Sequence, residues 1–446
     1  PILPAGFYYK TFMWPASFWG KYEFFIRHSA GLGKSPSKPD PDIYDHKYYH
    51  CDVLVVGGGI SGIMAAKLSA ENNNETLLLD DKNTLGGATI YQNNDCFQID
   101  GTHTNYWLEK EIKNIKNIKN LTIKTRTSLA AYHGYNYLLA RENLTDHLSI
   151  DERKNKIRQR LWKIRAKKVI IATGSIERPL IFNNNDRPGI MLSSAIKKFI
   201  DFYGVKTGKE ISLFTNNDSA YETAISLKKS GVNIVSIIDI RDKSSSKIVK
   251  EVEKHNIKIY WKHTIVNTEG YRRISFIEIM KLSDDGSGVI GKKIKLKSDC
   301  LGISGGWTPM VHLFTQSGGK LKFRSDDNVF LPDKNKTPSD QISIGSCNGD
   351  FDIKDIILNS NKDVKTFLGI ENSSFDNLKV ESSKEEMKRN IWLLPSDKPI
   401  GKTKPFLDFQ NDSTAKDVKL ALREGFKSIE HVKRYTTTGM GTDQGK

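Results

Sequence analysis

The chain has 446 residues, 38% of them hydrophobic, 27% charged and 10% aromatic, which at roughly 150 residues per domain implies about three domains with real cores. Four isolated cysteines with no CxxC pair exclude a disulfide-rich scaffold, a zinc knuckle and a self-contained iron–sulfur cluster, and no apolar run of about 18 residues offers a membrane span. The net charge of +16 would suit a polyanionic partner, but Lys, Asn and Ile are frequent everywhere, loops included, so a lysine-rich surface is the simpler reading.

Ten aromatic residues fall between Phe7 and Phe25, interrupted by Pro15 and Gly20 with a period of neither 2 nor 3.6. This predicts an arm that packs rings onto the body or a partner rather than a membrane-surface helix. A turn-rich SPSKPDPD linker follows. Asp52–Val56 is a continuous apolar strand of the kind a parallel sheet buries on both faces, Ser61–Glu71 a helix, and Thr76–Leu79 a second strand. A lysine-rich helix is expected over 107–121, an antiparallel crossover over 123–165, and a buried strand at Val169–Ala172.

A second α/β unit is expected from the strand Ile211–Phe214, the helix Ser219–Lys229 and the strand Ile234–Ile238, which ends in Asp239. Short strands at Asp299–Ser304 and Ile342–Ile344 would then return to the first unit, and the chain beyond about 350 turns helical, with one helix over Ala415–Tyr435. The domains predicted are therefore 1–50, an aromatic arm and linker; 51–175 plus 299–350, a first dinucleotide-binding domain; 176–298, a second and glycine-poor one; and 351–446, a helical segment.

The chemistry concentrates in Gly57-Gly58-Gly59-Ile60-Ser61-Gly62, which fits G-x-G-x-x-G between a strand and a helix. Gly57 allows the tight turn, Gly59 lets the backbone approach a pyrophosphate, and Gly62 lets helix and strand pack closely. The helix start supplies unpaired N–H groups and a favourable dipole for the anion. Asp80, 23 residues after Gly57, stands where a carboxylate accepts from ribose hydroxyls and disfavours a 2′-phosphate, which points to NAD or FAD rather than NADP. Gly86 and Gly87, just after Leu85, and Thr173-Gly174 at the end of a strand are further candidates for cofactor contact.

The second unit's turn, Thr215-Asn216-Asn217-Asp218-Ser219-Ala220, lacks the glycines a close pyrophosphate needs, so no tight dinucleotide binding is expected there. Gly302-Ile303-Ser304-Gly305-Gly306 matches G-x-S-x-G, but Trp307-Thr308-Pro309 breaks the helix that a nucleophile elbow requires. The ten histidines show no metal-binding spacing, and no metal is expected.

Several stretches in order, namely LPAGFYYKTFMWP, CDVLVVGGG, ATGSIERPL with NDRPG, FTNNDSAY, SGGWTP and the closing DFQNDSTAKDVKLALREGFKSIEHVKRYTTTGMGTDQGK, resemble the alpha subunits of heterotetrameric sarcosine oxidase. The likeness covers nearly the whole chain, which would be a central fragment lacking the family's N-terminal ferredoxin-like and C-terminal folate-binding domains.

The resemblance implies an α/β, two-dinucleotide-binding (Rossmann-like) flavoprotein architecture, with NAD in the first unit. The site would be Gly57, Gly58, Gly59, Ser61 and Gly62; Asp80 with Asp81 and Lys82; Gly86, Gly87 and Ala88; Leu129 beside the adenine; Thr173 and Gly174; and Gly345, Ser346, Phe351 and Ile353. Ser346 stands where related flavoproteins carry an acid, which weakens a flavin reading.

The resemblance further implies oxidative demethylation of sarcosine to glycine, forming hydrogen peroxide and methylenetetrahydrofolate. FAD and FMN would sit in or at a partner subunit and tetrahydrofolate in the missing domain. No catalytic residue is expected in this chain, its partners would be beta, gamma and delta subunits, and its location cytoplasmic. The alternatives are a free-standing FAD-dependent pyridine-nucleotide oxidoreductase and a structural subunit with a vestigial nucleotide site.

Overall fold

The strand run HCDVLVV and the turn GGG lie at the centre of a mixed sheet that organises the elements around it. A computed structural model describes residues 14–29, 31, 36–91, 96–338, 340–383 and 389–441. The chain divides into a small unit, 1–44 with 145–158, and a large one, 45–144 with 159–446.

In the small unit the helix Trp19–Ser29 carries no buried residue, and Trp14 and Phe25 are exposed. A helix forms here although the apolar period is irregular. The rest of the expected aromatic arm lies outside the described residues. Asp42 forms an ion pair with Arg153 (3.1 Å) and accepts a hydrogen bond from Arg158 (2.5 Å), and Ser149 and Glu152 form a reciprocal capping box for the single turn Ile150–Arg153.

The large unit is built on β1 (Ile43–Val56), α1 (Ile60–Glu71), β2 (Thr76–Leu79), α2 (Thr104–Ile115), β3 (Leu121–Lys124), β4 (Thr127–His133), β5 (Tyr137–Asn143) and β6 (Ile157–Ile171). The sheet runs β3-β2-β1-β6-β5-β4, parallel through β3, β2 and β1 and antiparallel through β6, β5 and β4. Val53, Leu54 and Val55 at the centre are at most 1% exposed, as expected for a strand covered on both faces. The helix expected over 107–121 instead covers Thr104–Ile115, because β3 begins at Leu121.

After β7 (Ser175–Glu177) come β8 (Ile190–Leu192), α3 (Ser193–Asp201), β9 (Glu210–Thr215), α4 (Ser219–Lys229), β10 (Asn233–Asp239) and β11 (Ile259–Trp261). The antiparallel strands β12 (His263–Glu269), β13 (Phe276–Leu282) and β14 (Val289–Lys297) follow, then β15 (Cys300–Ser304), β16 (Trp307–Pro309), β17 (Gln341–Ser343) and α5 (Ile353–Leu368). The second sheet has the order β8-β15-β9-β10-β11.

This corrects the expected return of Asp299–Ser304 to the first unit. The strand lies between β8 and β9 of the second sheet, with Leu213 opposite Gly302, and its five residues are buried there. Its apolar sequence cannot say which of two parallel sheets receives it. Of the two strands expected to return, β17 is the one that rejoins the first sheet, pairing with β6. β7 and β16 pair antiparallel, as two chain crossings between the sheets.

The helical C-terminal expectation holds in part. α5 packs on α1, where the Ser360 and Ser61 hydroxyls are 3.1 Å apart. The single helix expected over Ala415–Tyr435 is two, α6 (Ala415–Arg423) and α7 (Ile429–Thr436), separated at Gly425, whose φ of 93° ends the first.

Candidate functional site: a cleft over the glycine turn

At the carboxyl ends of the first sheet's parallel strands opens a cleft of about 1410 Å³, the position where open α/β sheets bind ligands. Its floor is the turn after β1. Gly57 has φ 106°, and a Cβ there would lie 2.3 Å from the Ala172 carbonyl oxygen; at Gly62 a Cβ would lie 1.8 Å from the Gly57 carbonyl oxygen. Both glycines are demanded by the packing of the protein itself.

Gly59 differs. Its φ of −74° and ψ of −177° suit any residue, yet a Cβ there would meet no atom within 4 Å. The open space above Gly59 is the cleft, so the turn leaves room that the protein's own packing does not fill.

Asp80 directly follows β2 and lies beside this turn. Its buried carboxylate accepts the Gly58 N–H (2.6 Å) and the Lys82 N–H (2.7 Å). Burial pushes the acid above the usual carboxylate range, and the two backbone hydrogen bonds oppose that rise. Each oxygen retains a further lone pair for an incoming hydroxyl. Asp81 and Lys82 pair with each other at 2.7 Å on the rim.

Of the residues expected at the site, Gly57, Gly58, Gly59, Ser61, Asp80, Asp81, Lys82, Gly87, Ala88, Leu129, Thr173, Gly174, Ser346, Phe351 and Ile353 all line the cleft. Gly62, Gly86 and Gly345 stand behind it. The Gly86 N–H donates to the Gly58 carbonyl (2.7 Å), and a Cβ at Gly345 would come within 2.3 Å of the Ser61 hydroxyl. A register shift between Leu129 and Ala131 explains how consecutive residues 127–130 reach the cleft, since a regular strand would present alternate ones.

The second unit forms the opposite wall and supplies residues that the sequence alone did not single out. Glu177, 4% exposed, accepts the Ser194 N–H at 2.7 Å near the start of α3 and a hydrogen bond from the Ser304 hydroxyl. Burial pushes its carboxyl up to about 6. Arg178 stacks over Trp392 (4.3 Å) and donates to the carbonyls of Asn328 (3.1 Å) and Asp327 (3.2 Å). Lys197 pairs with Glu222 at 2.6 Å. The signal available was Glu177-Arg178-Pro179 directly after the strand VIIATGS, but burial is set by a wall contributed from distant sequence.

The second unit's own strand–turn–helix closes on itself. The Thr215 hydroxyl accepts the Asn217 N–H (3.0 Å), and the Asn217 side-chain oxygen accepts the Ser219 N–H (3.0 Å). Arg241, wholly buried, pairs with Asp239 at 2.8 Å and with Asp218 at 2.8 Å, and Tyr221 donates to Asp239 at 2.9 Å. Asp239 stands at the carboxyl end of its strand as Asp80 does at that of β2, but here an arginine of the same chain takes the carboxylate. Ser304 of the G-x-S-x-G match is buried and accepts from Asn217 at 3.0 Å, with no helix after it.

Two Rossmann-like units, with an open glycine turn on the first and a shared cleft between the sheets, define a two-dinucleotide-binding oxidoreductase fold. Residues 51–353 match the family model described as pyridine nucleotide-disulphide oxidoreductase, and the chain belongs to that family. Residues 402–446 match the sarcosine oxidase A3 domain.

Along its whole length the chain is homologous to sarcosine oxidase alpha subunits. It is 34% identical to sarcosine oxidase subunit alpha of Rhizobium meliloti over 100% of this chain and 43% of that relative. The corresponding subunit of Corynebacterium sp. (strain P-1) is 33% identical over 93% of this chain and 43% of its own length. The chain thus spans less than half the length of these curated relatives.

Among solved structures, L-proline dehydrogenase from P. horikoshii superposes with a TM-score of 0.64 at 19% identity, covering 92% of this chain and 74% of that one. T. acidophilum thioredoxin reductase gives 0.54 at 18%, covering 72% and 97%. These two describe the fold.

Proposed function

We propose that this chain is the NAD-binding portion of the alpha subunit of a multi-subunit sarcosine oxidase. The observation that carries the reading is Gly59, a glycine that neither its backbone angles nor its neighbours require, facing open space at a helix N-terminus. The first N–H groups of α1 hold the pyrophosphate, Asp80 the adenosine ribose, and Leu129 the adenine. Thr173, Gly174, Ser346, Phe351 and Ile353 flank the far half of the dinucleotide. NAD, when bound, supplies a ring able to accept hydride.

This chain's residues bind and orient that nucleotide and contribute no amine-oxidising group of their own. Sarcosine demethylation to glycine, with hydrogen peroxide and methylenetetrahydrofolate as further products, uses FAD, FMN and tetrahydrofolate sites beyond these residues. The partners are beta, gamma and delta subunits in the cytoplasm. The closed Asp218–Arg241–Asp239 cluster supports one nucleotide per chain.

The test is to identify, by chromatography and mass, the nucleotide released from heat-denatured protein. Near-stoichiometric NAD is expected. Stoichiometric FAD, or no nucleotide together with no binding of added NAD, overturns the reading.

A further inference from the structure

The two ends of the cleft differ in charge. The sheet order puts β2 on one side of β1 and β6 on the other, with β17 paired to β6. A dinucleotide whose ribose meets Asp80 at the end of β2, and whose pyrophosphate crosses the Gly57–Gly62 turn, must send its other half toward the segment after β17. That segment presents Asp350, Asp352 and Asp355 to the cleft.

None of the three forms an ion pair among the described residues. Asp350 accepts from the Asn359 side chain at 2.8 Å, and Asp352 accepts the Lys354 N–H at 2.8 Å as the N-cap of α5. Of the cations nearby, Arg324 pairs with Asp327 and donates to the Gly349 carbonyl (3.0 Å), Lys334 pairs with Asp363 (3.1 Å), Arg178 is held by backbone carbonyls, and Lys354 is exposed on α5. The N-terminus of α5 adds about half a positive charge, and with Arg178 and Lys354 it is still outweighed by Asp350, Asp352, Asp355 and the neighbouring Asp326.

We infer that Asp350, Asp352 and Asp355 make the site select the oxidised, cationic nicotinamide ring over the reduced, neutral one. This rests on the NAD reading above and adds the redox state of the ligand. Oxidised and reduced nicotinamide differ by one positive charge on the ring, with the rest of the molecule unchanged. Their affinity ratio therefore reads the local potential directly.

The experiment is titration of the nucleotide-free protein with NAD⁺, NADH and ADP-ribose at low ionic strength. NAD⁺ is expected to bind roughly tenfold more tightly than NADH, and an Asp352→Asn/Asp355→Asn variant to lower that ratio to about threefold or less. ADP-ribose, which has no ring, should bind the variant as it binds the wild type, showing that the adenosine half is intact. Equal affinity of the wild type for NAD⁺ and NADH overturns the inference and leaves the NAD reading standing. Failure of all three ligands to bind overturns both. A folded variant that keeps the wild-type ratio also overturns the inference, and Asp355→Asn alone, which leaves the N-cap Asp352 in place, gives the same reading where the double variant does not fold.

Discussion

Replacing Gly59 by alanine separates what the turn does for the protein from what it does for a ligand. The backbone already has angles open to alanine and the added methyl meets no atom within 4 Å, so the nucleotide-free protein should lose less than about 1 kcal/mol, the scale of an altered N-cap. In the complex the same methyl enters the space of the pyrophosphate, an overpacking cost of about 2 kcal/mol, or roughly thirtyfold in Kd. With NAD at about 100 times the wild-type Kd, nucleotide should stabilise the wild type by about 2.7 kcal/mol and the variant by about 0.9 kcal/mol.

Gly62→Ala is the contrasting perturbation. Its Cβ would lie 1.8 Å from a backbone carbonyl, so helix and strand must move apart, at a cost of about 3 kcal/mol with or without nucleotide. Urea unfolding of the three proteins, with and without NAD, reads both effects. The reasoning is refuted if Gly59→Ala keeps the full nucleotide-induced stabilisation, or if it destabilises the free protein as much as Gly62→Ala does.

Three further outcomes are expected. Glu177 is held at about 6 in the fold against an ordinary value of 4.5, so the native state binds the extra proton between those values and stability falls as pH rises through that window, by about 2 kcal/mol in total. Glu177→Gln should flatten that slope in unfolding curves taken from pH 4 to 7, and an unchanged slope would assign the proton elsewhere. Arg241→Ala strands two buried carboxylates and should cost about 3–5 kcal/mol, read by urea midpoint, whereas Arg241→Met with Asp218→Asn and Asp239→Asn should recover much of it. Equilibrium dialysis should find one NAD per chain, and a second site of similar affinity would contradict the closed turn of the second unit.

What could be read from sequence was local. The strand Asp52–Val56, the glycine turn, the helix after it and Asp80 at the end of the next strand are consecutive, and each constrains its neighbour. The same holds for β9, α4 and β10, whose missing glycines already argued against a second nucleotide. Asp299–Ser304 was misplaced because parallel strands of two sheets share one apolar signature, and the pairing of Leu213 with Gly302 is written in neither segment alone. Nothing in the sequence around Arg241 marks it as buried; Asp218 and Asp239 close on it only in the fold. Glu177 needed Ser194 and Ser304 to become a buried acid, and these lie 17 and 127 residues further along the chain.

The contact between the Ser61 and Ser360 hydroxyls joins residues 299 positions apart. At a translation rate of about 5–20 residues per second, α5 emerges from the ribosome roughly 15–60 s after the glycine turn. For that interval the nascent first unit has its glycine turn and Asp80 but lacks the helix that packs on α1 and the loop that walls the far end of the cleft. If the chain binds NAD as proposed, capture is a late event in its life, and a population stalled short of residue 360 is expected to pass through an immobilised-NAD resin.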